Sequence, residues 1–348
     1  MRPIKRILVI QTAFIGDVIL TLPLVQALQG FFAQSAIDIV VVPRSADVCS
    51  NHPSISNVIT FDKGGRARGV SGLVRTAREL RNKGYDLAFV PHRSLRSAAL
   101  AFLARIPLRV GFNRSAGRFL FTSTVRYDSD AHEIERNLSL LSAYGIEAPA
   151  KTLPHVYPGR AERDAVDGVL HSGAEFSTNL VAIAPGTVWN TKRWIKERFA
   201  ALAELFLAEG YRVVLIGGKD DINLCKEIAD MVGAGRVVNT AGKLTLLGSA
   251  ELLGRCRLLV SNDSAPMHLA VAVGTPVVAI FGATVPEFGF SPAGVHDEVV
   301  EVRGLSCRPC SSHGGDKCPI KTFDCMLNIK PDRVMAKARI VLERAGIR

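Results

Sequence analysis

Short, uninterrupted runs of aliphatic and β-branched residues recur along this chain at helix-length intervals, and that spacing restricts its fold more than any other feature. Arg6–Thr12 (RILVIQT), Ile37–Val42 (IDIVVV), Val58–Asp62 (VITFD) and Asp86–Pro91 (DLAFVP) carry it in the first half, with helical patterns from about Val18 and over Ser71–Lys83. In the second half the runs are Leu180–Ala184, Arg212–Ile216, Val237–Asn239, Leu258–Ser261 and Val277–Phe281. Helical patterns near Ile195–Glu209, Asp221–Met231, Thr245–Cys256 and Ala265–Val273 lie between them. A strand without polar alternation is buried on both faces, and a helical spacer between two such strands makes a parallel crossover. The pattern predicts an α/β protein with two doubly wound parallel sheets.

The length of 348 residues suits roughly two domains at about 150 residues each. The polar stretch Pro158–Asn179, with Gly159, Gly168 and Gly173, is the expected boundary. It gives a domain over 1–165, a second over 175–330, and a closing helix within 331–348, near Pro331–Ala345. Ligands of such sheets bind beyond the carboxyl ends of the strands, so a cleft between the domains is the expected active site. Hydrophobic residues at 48% and charged ones at 22% exclude a disordered or fibrous chain. The longest stretch without a formal charge, Ser264–Pro286, is divided by Gly274, Pro276 and Gly282 into a helix-length and a strand-length piece. The basic start followed by an apolar run imitates a signal peptide, but Asp17 interrupts the run and no small-residue cleavage site follows. Seven cysteines in a chain of this length do not form a disulfide scaffold. A cytosolic protein is expected.

Charge is unevenly placed. The net charge is +11, and residues 1–160 hold 21 basic and 11 acidic side chains against 22 and 21 in residues 161–348. The first half therefore suits an anionic partner. Residues 63–118 alone carry thirteen Lys or Arg, eleven of them Arg, and only Glu79 and Asp86 as acids. A solvated basic face is the ordinary explanation, yet the arginine bias favours phosphate or carboxylate recognition. The interleaved aromatics of a single-strand nucleic-acid platform are missing.

Four segments suit chemistry. In Ala13-Phe14-Ile15-Gly16-Asp17, after the first strand, Asp17 is placed either to cap the following helix or to act as general base on a hydroxyl. Val260–His268 (VSNDSAPMH) runs from a strand end through capping residues to a helix with Pro in its first turn. That is how an anion site at a helix amino end is built, and also how an ordinary junction with a core histidine looks. Ala184-Pro185-Gly186-Thr187, followed by Trp189-Asn190-Thr191-Lys192-Arg193-Trp194, suits a diphosphate, or a solvated loop pinned by its tryptophans. Neither G-x-x-x-x-G-K-[ST] nor G-x-G-x-x-G occurs at these phosphate candidates, which argues against an NTPase or a dinucleotide enzyme. Cys307, Cys310, Cys318 and Cys325 have spacing that could hold zinc, but only the first pair has tight knuckle spacing, so packed thiols are the preferred reading.

Together these segments resemble the ADP-heptose lipopolysaccharide heptosyltransferases, glycosyltransferase family 9. The resemblance rests on Ile7–Pro23, Ala184–Trp194, Leu215–Asp220 (LIGGKD) and Val260–Gly282, in that order over nearly the whole chain, and the cysteine tail is most like the heptosyltransferase II type. It implies the GT-B architecture of two Rossmann-like domains. Asp17 matches the family's proposed catalytic base, Lys192 the donor-phosphate lysine, and Thr187 a neighbouring hydroxyl. Asp263, Ser264, Ala265 and His268 match its D-[TS]-[GA]-x-x-H donor site. Asp220 and Leu244 fall where the family contacts adenosine. Ala13 and Phe14 stand where hydroxyl residues are common, and Ala265 where glycine is frequent.

The implied reaction is an inverting, metal-independent displacement on ADP-heptose with no cofactor. Its acceptor is the anionic lipid A-Kdo-heptose inner core, reached at the inner face of the cytoplasmic membrane by a peripherally bound cytoplasmic enzyme. Arg75, Arg78 and Arg81 are the candidate acceptor or membrane contacts. The alternatives are a heptosyltransferase I- or III-type transferase, a nucleotide-sugar epimerase, or, outside the class, a basic nucleic-acid binder; nucleic acid is not the expected partner.

Overall fold

The computed structural model describes residues 3–149, 152–170 and 179–346, and the chain divides into two compact units, 1–157 and 158–348. In unit 1, strands β1 (Arg6–Ile10), β2 (Ala36–Val41), β3 (Asn57–Thr60), β4 (Leu87–Val90), β5 (Leu108–Phe112) and β6 (Ser123–Val125) form one sheet in the order β3-β2-β1-β4-β5-β6, every pair parallel. The order reverses between β1 and β4, the switch point at which such sheets bind ligands. Residues Ile7 to Ile10 of β1 are fully buried, as the unalternating sequence run requires.

The helical pattern beginning near Val18 is two helices, α1 (Ile15–Ile19) and α2 (Leu22–Phe31). Pro23 lies in the first turn of α2, and the Thr21 hydroxyl donates to the carbonyl of Asp17 at 2.8 Å, so the ladder restarts there. Helices α3 (Gly69–Asn82), α4 (Leu95–Leu103) and α5 (Glu133–Ser139) complete the unit's main helices. Asn137 of α5 ties that helix to the first one, its amide donating to the carbonyl of Leu20 at 3.0 Å.

Unit 2 repeats the plan. Its strands β7 (Leu180–Ala184), β8 (Arg212–Leu215), β9 (Val237–Asn239), β10 (Leu258–Asn262), β11 (Val277–Phe281) and β12 (Glu298–Glu301) are all parallel in the order β12-β11-β10-β7-β8-β9. The switch point lies between β7 and β10. Helix α6 (Arg160–Leu170) lies inside the polar stretch expected to hold the boundary, and belongs to unit 2: Arg255 reaches its Asp167 at 2.5 Å. The boundary falls between Tyr157 and Pro158, so residues 158–165, assigned from sequence to the first domain, belong to the second. Gly173 and the expected start at 175 lie outside the described residues.

Helices α7 (Lys196–Ala208), α8 (Ile222–Val232), α9 (Leu246–Gly254), α10 (Ala265–Ala272), α11 (Asp324–Leu327) and α12 (Pro331–Arg344) follow. The closing helix is not a separate segment. Val334, Met335, Ala338, Val341 and Leu342 of α12 join the core of unit 2. Trp194 is the largest side chain in that core, with its indole N–H donated to the Ile329 carbonyl at 3.1 Å and its ring edge-on to Phe199 at 4.9 Å. Truncating it to Ala would cost about 3–5 kcal/mol. Among the described residues, no helix is long and apolar enough to cross a membrane.

Candidate active site

At the switch point of unit 2 three loops are tied together by Asn262, the last residue of β10. Its amide donates to the Pro185 carbonyl at 2.8 Å, and its side-chain oxygen accepts the Trp194 backbone N–H at 3.0 Å. Both polar ends of this buried side chain are thereby satisfied, and the segments 185–187, 189–194 and 262–268 converge. The Ser264 hydroxyl donates to the Gly186 carbonyl at 3.2 Å. Ser264 is the N-cap residue of α10, but its side chain makes no capping bond. The positive end of α10, which begins at Ala265, therefore lies beside the glycine turn at the end of β7, an arrangement suited to an anion.

Lys192 reaches into this place. Its ammonium lies 2.6 Å from Asp263 Oδ2, with both side chains mostly buried. The same carboxylate oxygen accepts the Thr284 hydroxyl at 2.6 Å. Arg308 in turn donates to the Thr284 carbonyl at 2.7 Å and to Glu301 at 2.9 Å. His268, also buried, follows one turn into α10. Thr187 offers its carbonyl to Arg193 at 2.7 Å. The structure thus pairs Lys192 with Asp263 and sets Ser264 against Gly186, with Thr187 next along the glycine turn and Ala265 and His268 following on α10.

Asp220 and Leu244 lie at the neighbouring strand ends. Asp220 is exposed in the turn Lys219–Asp221, and the loop before Leu244 is brought beside it by the Gly242 N–H donating to Gly217 at 2.9 Å. Sequence reasoning missed Asp221. A Cβ on Gly186 would fall 2.3 Å from its carboxylate, so only glycine permits that approach, and burial raises the Asp221 pKa.

The cysteine loop approaches Lys192 from another side. The Gly315 N–H donates to Thr191 Oγ1 at 2.8 Å, and the Thr191 N–H to the Gly315 carbonyl at 2.9 Å. Gly314, at φ +90°, leaves no room for a side chain, because a Cβ there would lie 2.9 Å from Lys192 Cγ and Cδ. Nothing in the sequence around Gly314 signals this contact. Cys307, Cys310, Cys318 and Cys325 are unlinked thiols. Among the described residues, no group of three or more His, Cys, Asp or Glu is placed to hold a metal ion.

In unit 1 Asp17 occupies the third position of α1, and its carboxylate accepts the Phe14 N–H at 3.2 Å. It does contribute to capping, from inside the first turn rather than from the N-cap position. Glu133 of α5 is buried, and burial together with the charge of Asp17 pushes its pKa up to about 7, opposed by Arg136 at 3.0 Å. At the switch point of this sheet, Thr12 Oγ1 and Ser97 Oγ lie 3.0 Å from His92 Nδ1 and from each other, and Lys63 donates to the Thr12 carbonyl at 2.5 Å. Burial, with Lys63 and Arg93 nearby, pushes His92 down to about 4, so it is neutral near pH 7. Glu133, Lys63 and His92 were not singled out from sequence. Arg75, Arg78 and Arg81 are exposed on α3.

The description glycosyltransferase family 9 (heptosyltransferase) matches residues 73–319. The chain belongs to glycosyltransferase family 9. Lipopolysaccharide heptosyltransferase 2 of Salmonella typhimurium is 30% identical over 293 residues, covering 81% of this chain and 84% of that protein. The crystal structure of a family 9 glycosyltransferase from Veillonella parvula superposes with a TM-score of 0.87 at 28% identity, covering 97% of this chain and 98% of that one. The structure of E. coli ADP-heptose LPS heptosyltransferase II does so with a TM-score of 0.79 at 26% identity, covering 98% and 99%. This family 9 glycosyltransferase thus has the α/β GT-B fold expected from its sequence, with a Rossmann-like sheet in each unit.

Proposed function

We propose that this glycosyltransferase moves heptose from ADP-heptose onto the heptose/Kdo inner core of lipopolysaccharide. The observation that carries the reading is the Lys192–Asp263 pair beside the amino end of α10, in a chain 30% identical to a heptosyltransferase 2. In the proposed reaction the Asp17 carboxylate takes the proton of an acceptor hydroxyl. The acceptor oxygen bonds to the anomeric carbon from the side opposite ADP, and the bond to the β-phosphate oxygen breaks with inversion. The charge growing on ADP is met by Lys192 and by the α10 backbone dipole. Donors already in place for developing charge are usually the largest catalytic contribution. A cation supplied by a side chain removes the need for a metal on the diphosphate, so chelators are expected to leave turnover unchanged.

Thr187, Ser264, Ala265 and His268 are assigned to the donor phosphates and sugar, and Asp220 and Leu244 to the adenosine. Unit 1, with most of the positive charge, is assigned to the acceptor and to peripheral association with the inner face of the cytoplasmic membrane. The test is product formation from ADP-heptose and truncated lipopolysaccharides that end at successive inner-core sugars, with thermal stabilisation by ADP, UDP and NAD alongside. Stabilisation by UDP instead of ADP, or no heptosylated product on any acceptor, overturns the reading.

A further inference from the structure

Between Asp86 and Asp128 the chain holds seven arginines, no lysine and no acid. This stretch folds into β4, α4, β5, the 3₁₀ turn Arg118–Leu120 and β6, the edge strand of the unit 1 sheet. Helix α4 buries Ser97, Ala98, Leu100 and Ala101 against the unit and turns Leu95, Phe102 and Leu103 outward, 49%, 47% and 40% exposed. Residues seven apart on a helix share a face, so Leu95 and Phe102 mark one apolar stripe. Phe119 extends it at 74% exposed. Its turn lies against α4, since a Cβ on Gly117 would fall 2.5 Å from Ala98 Cβ and 3.3 Å from Leu95 Cδ1. Arg109 links helix and turn, with its guanidinium 5.5 Å from the Phe102 ring centroid and its Nε donating to the Leu120 carbonyl at 2.7 Å. Arg105, Arg114, Arg118 and Arg126 are exposed in the same stretch.

We infer that this α4 face is where the enzyme docks on a bilayer of anionic lipid. Soluble surfaces intersperse both signs of charge and scatter their exposed apolar residues singly. Here phenylalanines and leucines sit among arginines with no carboxylate in the segment. The apolar side chains suit the boundary between headgroups and acyl chains, and guanidinium groups pair with lipid phosphates in two-pronged fashion. A second copy of this chain is disfavoured as occupant, because a two-fold contact would set the arginines against themselves. The α3 face with Arg75, Arg78 and Arg81 has Glu79 among its arginines and no exposed aromatic. It adds to the field without an apolar foothold. The inference rests on unit 1 being the membrane-side unit.

The test is co-sedimentation of the full chain with vesicles of phosphatidylglycerol and phosphatidylcholine, against phosphatidylcholine alone. The wild type is expected to pellet with the anionic vesicles and to be released by salt. Phe102→Ser with Phe119→Ser, and separately Arg114→Glu with Arg118→Glu, are each expected to weaken that binding about tenfold or more. ADP binding and turnover of a deacylated, water-soluble acceptor should stay at the wild-type level. Phe119→Trp provides a second readout, a blue-shifted emission on anionic vesicles only. Unchanged vesicle binding in both double variants, with loss on reversing Arg75, Arg78 and Arg81, overturns the α4 face and leaves unit 1 at the membrane. Failure of the wild type to bind anionic vesicles overturns both. A dimer dissolved by the phenylalanine substitutions, or tighter binding to random-sequence RNA than to vesicles, also overturns the inference.

Discussion

Lys192 Nζ and Asp263 Oδ2, 71 positions apart in sequence, are 2.6 Å apart in the fold. The carboxylate is further held by the Thr284 hydroxyl, so the ammonium at the end of β7 and the start of α10 is fixed by one short network. A cation held this way is oriented before any ligand arrives, which is the property a site for a leaving diphosphate needs.

Replacing Lys192 with Ala is expected to weaken ADP binding by about 2 kcal/mol, some thirtyfold, and to slow turnover as well. The Asp263 carboxylate, left with Thr284 alone, would then repel the phosphates. AMP should suffer less than ADP, and calorimetric titration of both nucleotides measures the difference. Equal losses would place the ammonium away from the β-phosphate.

Gly314→Ala should act through the same lysine. The added methyl would lie 2.9 Å from Lys192 Cγ and Cδ, at a φ of +90° that already disfavours a side chain. Turnover is expected to fall about ten- to hundredfold, with adenosine affinity kept. In a Lys192→Ala background the second substitution should change ADP affinity no further. Additive losses would mean that Gly314 matters only to loop folding.

Asp17→Asn separates the capping contact of that residue from its proposed role as base. An Asn side chain can still accept the Phe14 N–H, so thermal stability should hardly move. Loss of the base should lower turnover about 10²–10⁴-fold with ADP affinity intact. Near-normal turnover would leave Asp17 a helix-capping residue only.

Glu133 makes stability depend on pH in an unusual direction. Burial and then Asp17 raise its pKa from 4.5 to about 7, so over that interval the folded chain keeps a proton that the unfolded chain releases. Its contribution is complete below the unfolded value and is lost as pH climbs through about 7. A Glu133→Gln variant, which can still accept from Arg136, should therefore gain stability relative to wild type as pH rises across this window. Denaturant unfolding at several pH values checks the sign; a constant difference would mean that Glu133 is ionised throughout.

Strands buried on both faces were legible because each residue of such a strand must be apolar whatever its neighbours: Leu180–Ala184 and Val277–Phe281 match the structure to the residue. Strand β5 (Leu108–Phe112), whose first two residues Leu108 and Arg109 are not buried, and the edge strands β6 (Ser123–Val125) and β12 (Glu298–Glu301) were not. Half solvated and polar, those two edge strands contain no apolar run to see. Helix α6 hid in the stretch expected to hold the boundary because it buries only Val166, which leaves its sequence looking like loop.

The same division holds at the site. Turn and cap residues carry their chemistry locally, so Asp263, Ser264 and Pro266 announced a helix amino end and Gly186 a turn, while their approach through Asn262 and Ser264 came from the fold. The sequence by itself thus determined the fold class, the two loops proposed to hold the diphosphate, and the family. Only the tertiary structure decided that Asp263 and Thr284 hold Lys192, that Gly314 lies against its stem, that Glu133 shares a field with Asp17, and that α4 turns its phenylalanine outward among arginines. Those relations depend on which strands become neighbours in each sheet, and local patterning records how deeply a residue is buried but not what it is buried against.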